Sequence, residues 1–111
     1  MRDVAIIGVG MTKFGELWSQ GIRDMFAEAA LKAMRDAYVE KIDALYVGSM
    51  SSGLYTFQEH IASVMTDYIG QRGVPGARVE SACESRTSPF LLGSYDILGL
   101  MSNILPIATA R

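Results

Sequence analysis

Val4-Ala5-Ile6-Ile7-Gly8-Val9 is an unbroken apolar run rich in branched side chains. A short run of this kind, with no alternation, predicts a strand buried on both faces, as in a parallel sheet. Gly10 to Gly21 reads as a loop carrying Phe14, Leu17 and Trp18 among polar residues. From Ile22 the period changes. Ile22, Met25, Phe26, Ala29, Ala30, Ala33, Met34 and Ala37 recur three and four apart, with Arg23, Asp24, Glu28, Lys32 and Arg35 largely opposite. That spacing predicts an amphipathic helix laid on a sheet. Ile42 to Val47 reads as a second strand, ended by Gly48, and Ser49 to Tyr55 as a loop. A second helical pattern runs through Phe57, Ile61, Val64, Met65, Tyr68 and Ile69. Gly70 stops it, and Gly73, Pro75 and Gly76 mark a turn. Arg78 to Cys83 reads as a third strand. Strands alternating with helices require crossover connections, so the expected class is α/β.

The last quarter differs. Ser85 to Arg111 holds only three charged residues, Arg86, Asp96 and Arg111. Its apolar stretch from Tyr95 to Ile107 has neither helical nor strand period, and Pro89 would break a helix continuing from the third strand. The strongest compositional boundary lies near Ser85. It divides the chain into residues 1–85 and a divergent apolar tail, 86–111.

The 111 residues are 50% hydrophobic and 20% charged, an ordinary globular composition. Ten basic against twelve acidic residues argue against a nucleic-acid or membrane-surface binder. No apolar run reaches the roughly 18 residues of a membrane helix, and the N-terminal run is too short for a signal peptide. The single cysteine cannot close an intrachain disulfide, which fits a reducing cytoplasmic setting. One His and one Cys are too few for a structural zinc site, so no metal is expected.

Gly8-Val9-Gly10 after a strand invites a dinucleotide-binding reading, but the third glycine of that fingerprint is Lys13 here. The glycines are expected instead to let the chain leave a buried strand. Cys83, at the end of the third strand, is a nucleophile if a helix begins just beyond it, because helix-end amides favour thiolate. The plainer alternative is a small buried apolar side chain. Glu80 and Glu84 flank it and would raise the thiol pKa unless Arg78 and Arg86 offset them. His60 is expected to be an exposed or interface histidine rather than a base for Cys83. Met25, Met34 and Met65 are expected in the core or a subunit contact.

Four ordered blocks resemble the thiolase superfamily, and within it the archaeal and bacterial acetyl-CoA acetyltransferase branch. Asp3-Val-Ala-Ile-Ile-Gly-Val-Gly-Met-Thr-Lys-Phe-Gly15 looks like its opening strand and loop. Ile42-Asp-Ala-Leu-Tyr-Val-Gly-Ser-Met-Ser-Ser-Gly53 resembles its second strand, and Gln58-Glu-His-Ile-Ala-Ser63 the helix that follows. Val79-Glu-Ser-Ala-Cys83 is similar to the strand that delivers its nucleophilic cysteine. The resemblance implies part of the N-terminal half of a layered helix–sheet–helix fold, and an oligomer. It also implies transfer of acyl groups between coenzyme A thioesters through a cysteine thioester, with no bound cofactor. Cys83 is the one residue that inherits a catalytic role; the family's catalytic histidines come from its second half, so His60 does not.

The resemblance ends at Ser85. Where the family continues with small residues that open a helix, this chain has Glu84-Ser-Arg-Thr-Ser-Pro89. The expectation is therefore a truncated thiolase reading frame that is inactive alone. The alternative is a thiolase-like, non-catalytic module that binds a partner subunit, since half a layered fold leaves an apolar face uncovered.

Overall fold

The computed structural model describes residues 3–82 together with Ser88, Leu91 and Leu92. Within them, α1 (Ile22–Asp36) is followed by β1 (Leu45–Gly48), α2 (Ser52–Thr56), α3 (Ile61–Tyr68) and β2 (Gly76–Val79). β1 and β2 pair in parallel, with Leu45 opposite Gly76 and Gly48 opposite Val79. The chain between them crosses over through α2 and α3. The expected α/β unit is thus present.

α1 follows its sequence pattern closely. Phe26, Ala29, Ala30, Ala33 and Met34 are buried, while Arg23, Asp24, Lys32 and Arg35 face solvent. Asp24, in the first turn, accepts the Gly21 N–H at 3.0 Å and so satisfies one of the donors that a helix start leaves orphaned. The core joins Phe26, Ala30 and Met34 of α1 to Ile42, Leu45 and Val47 around β1, and to Ile61, Ala62, Met65 and Ile69 of α3. Met34 and Met65 are buried core residues and Met25 is half-buried, as their helical spacing predicts. Gln71 stitches the layers. Its Oε1 accepts the Ile42 N–H at 3.2 Å, and its Nε2 donates to the Glu40 carbonyl at 2.9 Å.

Three expectations need correction. Val4 to Val9 forms no strand, and Val4, Ile6, Ile7 and Val9 are exposed. A doubly buried strand needs paired neighbours and cover on both faces, and the described residues supply only a two-stranded sheet. The segment lies across α1 instead. A Cβ on Gly8 would collide with the Ala33 carbonyl and the Ala37 Cβ; one on Gly10 would collide with the Ala29 carbonyl and the Ala33 nitrogen. The two glycines therefore permit backbone-to-helix approach over a stripe of alanines rather than exit from a strand. Val9 N–H donates to Asp36 Oδ2 at 2.9 Å, and Lys32 Nζ to the Met11 carbonyl at 3.3 Å, fixing the crossing.

Second, Phe57 is not on a helix face. It lies at φ 54 after α2, 93% exposed. Third, the last strand runs from Gly76 to Val79, not from Arg78 to Cys83: Gly76, read as a turn residue, pairs with Leu45 close beneath Ala62 of α3, and Glu80 to Ala82 form no strand.

α1 and α3 are also tied by an exposed clasp. The Tyr68 O–H donates to Asp24 Oδ1 at 2.6 Å, and Arg23 lies 5.6 Å from the Tyr68 ring centroid. The Tyr68 hydrogen bond, followed by that from Gly21, holds the Asp24 carboxyl below its ordinary pKa; the same contact raises the Tyr68 phenol. A depressed carboxyl contributes stability above its unfolded pKa and loses it as pH falls through the folded value. A raised phenol contributes below its unfolded pKa and loses it as pH rises through the folded value. Tyr68→Phe should therefore melt lower than wild type at neutral pH, with the gap closing in strong acid and strong alkali. Thermal melts across pH check this; a gap that stays constant at both extremes would refute the clasp.

Candidate functional site

In a parallel sheet, ligands are met outside the carboxyl ends of the strands. Here both strands end on the same side, at Gly48 and Val79. The chain leaves β1 through Ser49, Met50 and Ser51, and leaves β2 through Glu80, Ser81 and Ala82 toward Cys83. The Ser49 N–H donates to the Val79 carbonyl at 3.2 Å, extending the ladder one step beyond the strands.

α2 sits directly after this junction. It is a single short helix because both ends are turned: Ser51 at φ 58 and Phe57 at φ 54 adopt left-handed conformations that helix interiors exclude. Ser52 is buried and its Oγ finds no partner among the described residues, while Leu54, Tyr55 and Phe57 stand exposed. Glu59 closes the arrangement. Its Oε2 accepts from Arg78 Nη1 at 2.8 Å, and its carboxylate lies against Gly53, where a Cβ would collide with it. The Arg78 side chain is only 26% exposed in this pair. The Glu59–Arg78 tie joins the start of α3 to β2. Sequence reading missed it, since nothing in a separation of 19 residues marks two surface charges as partners.

Of the residues singled out in sequence, Arg78 is thus committed to Glu59. His60 occupies the N-cap position of α3, exposed, with its backbone N–H on Gln58 Oε1 at 3.0 Å. Glu80 Oε1 accepts the Ala82 N–H at 3.3 Å. Cys83, Glu84, Arg86 and Pro89 lie outside the described residues. Among the described residues no group of three or more His, Cys, Asp or Glu could hold a metal ion. No helix among them is long and apolar enough to cross a membrane.

The chain is 56% identical over 87 residues to the acetyl-CoA acetyltransferase of Methanothermobacter thermautotrophicus, and 52% identical over 87 residues to that of Methanocaldococcus jannaschii. The chain's N-terminal part is homologous to acetyl-CoA acetyltransferases. Each match takes in 77% of this chain, so the acetyltransferase-like stretch spans only 23% and 22% of those relatives' lengths. In structure, the chain superposes on the 3-oxoacyl-[acyl-carrier-protein] synthase III of Aquifex aeolicus with a TM-score of 0.65. That match has 15% identity and covers 78% of this chain and 28% of that one. It shows the fold alone: the acetyltransferase-like stretch adopts part of a thiolase-type α/β fold. No family profile matches the chain.

Proposed function

We propose that residues 1–85 are the acyl-accepting part of an acetyl-CoA acetyltransferase, with Cys83 as nucleophile and residues 86–111 as a divergent tail. The observation that carries this reading is the 56% identity to a protein of that name over 87 residues. The parallel β1/β2 pair adds support, since β2 runs at its carboxyl end toward Cys83. In the first half-reaction the Cys83 thiolate attacks the carbonyl carbon of an acyl-CoA thioester. A new carbon–sulfur bond forms, the old one breaks, and coenzyme A leaves as a thiol after taking a proton. In the second, a thioester deprotonated beside its carbonyl attacks the acyl group and releases Cys83. The acid–base groups for that step belong, by the resemblance, to sequence beyond these 111 residues. These 111 residues alone are therefore expected to give no turnover; acyl uptake at Cys83 is the one partial step within their reach, with no bound cofactor, in a reducing cytoplasm.

Mass spectrometry after incubation with acetyl-CoA tests the reading. One acetyl group should appear, on Cys83, and prior alkylation of the thiol should abolish it. A chain that takes up no acetyl group would overturn the assignment.

The exposed Leu54, Tyr55 and Phe57 beside the junction favour a second reading, a module that docks on a partner subunit. Light scattering discriminates the two. A discrete oligomer without acetyl uptake supports the module.

A further inference from the structure

The loop from Met11 to Gln20, between the N-terminal crossing and α1, is fastened at both ends to one ion pair. Glu28 and Lys32 lie one turn apart on α1, where side chains are neighbours, and Lys32 Nζ stands 2.6 Å from Glu28 Oε1. The same Nζ donates to the Met11 carbonyl at 3.3 Å, and the other Glu28 oxygen accepts from Gln20 Nε2 at 3.4 Å. Two side chains of the helix thus join the two ends of the loop. Between those ends the loop folds on itself. The Gln20 N–H donates to the Leu17 carbonyl at 3.1 Å, and Trp18 Nε1 to Glu16 Oε2 at 3.2 Å. Thr12 is buried, while Phe14 and Trp18 stand exposed. A loop with close ends and its own internal bonds is built to move as one body.

We infer that the Glu28–Lys32 pair is a latch: it holds the Met11–Gln20 loop shut on α1, and the loop opens as a unit when either charge is removed. The closed state is held lightly. Both partners are partly open to water, where an ion pair contributes little. Gln20 Oε1 is buried and finds no partner among the described residues, and opening would return that acceptor to water. The latch therefore works near balance, so that one charge decides whether the loop is open or shut. It belongs to the N-terminal face of the fold and does not depend on acyl chemistry at Cys83.

Trypsin reads the latch directly, because Lys13 is the only basic residue between Met11 and Gln20. Limited digestion of the full chain, followed by mass spectrometry, gives the rate of cleavage after Lys13. Lys32→Met removes the ammonium and keeps an unbranched stem; Glu28→Gln removes the opposite charge. Each should raise the rate about fivefold, the scale of one lost hydrogen bond when cleavage follows the open population. The double variant should be no faster than the faster single one, because both changes act on one latch. Wild-type rates in the single variants, or a double variant whose increase is the product of the two, would overturn the proposal. Hydrogen exchange at Leu45 and Ile69, whose N–H groups donate to the Pro75 and Met65 carbonyls, reports on the core and should be unchanged throughout. If a helix variant loses that protection, Gln20→Glu decides in its place. It lies outside α1 and sets a second carboxylate against Glu28, so cleavage after Lys13 should again quicken; a wild-type rate would refute the latch.

Discussion

Gly10→Ala is expected to destabilise the protein by about 3 kcal/mol, the upper end of the usual cost of overpacking. The added methyl group would run into the Ala29 carbonyl and the Ala33 nitrogen, both backbone atoms inside α1. A hydrogen-bonded helix cannot yield locally, so the N-terminal segment must lift away. The bonds from Val9 to Asp36 and from Lys32 to the Met11 carbonyl then go with it. Gly53→Ala is the control. There the obstruction is the end of the Glu59 side chain, which can swing aside, and the expected cost is about 1 kcal/mol. Urea unfolding followed by circular dichroism measures both; equal costs would show that the crossing over α1 is not close-packed.

Ile61→Ala should cost about 3–4 kcal/mol, within the range for deleting a buried branched side chain. Ile61 is fully buried in the first turn of α3, in the cluster that also contains Phe26, Leu45 and Met65. It therefore belongs to an element, α3, that touches α1 and both strands. Truncation leaves a cavity there that rigid neighbours fill only in part. Ile61→Val removes a single methyl group and should cost about 1 kcal/mol. The ratio between the two substitutions is the sharper test. A Val variant as damaging as the Ala variant would mean that shape, not buried volume, governs this position.

Much of this architecture was legible along the chain. α1 was readable because its apolar residues repeat over four turns, long enough for the helical period to exclude a strand. β1 and α3 were readable for related reasons, and Gly70 and Gly73 do take the positive φ that their turn requires. Val4 to Val9 was misread because an apolar run records the demand for burial but not which partner meets it. α2 was invisible: five residues set by two left-handed ends leave no period. At the candidate site, sequence similarity pointed to Cys83. The Glu59–Arg78 tie and the Glu80–Ala82 turn depend on distances that no spacing rule encodes.

Parallel pairing also has a kinetic consequence. A hairpin can close its first rungs from neighbours in the chain, but β1 and β2 cannot meet until the stretch from Ser49 to Pro75 has doubled back. Closing so long a connection costs chain entropy before the ladder repays any of it. During synthesis, α1 and β1 leave the ribosome well before β2 can join them. The rung from Ser49 to Val79, at the carboxyl ends of both strands, should therefore be among the last backbone bonds to acquire protection in pulse-labelled hydrogen exchange.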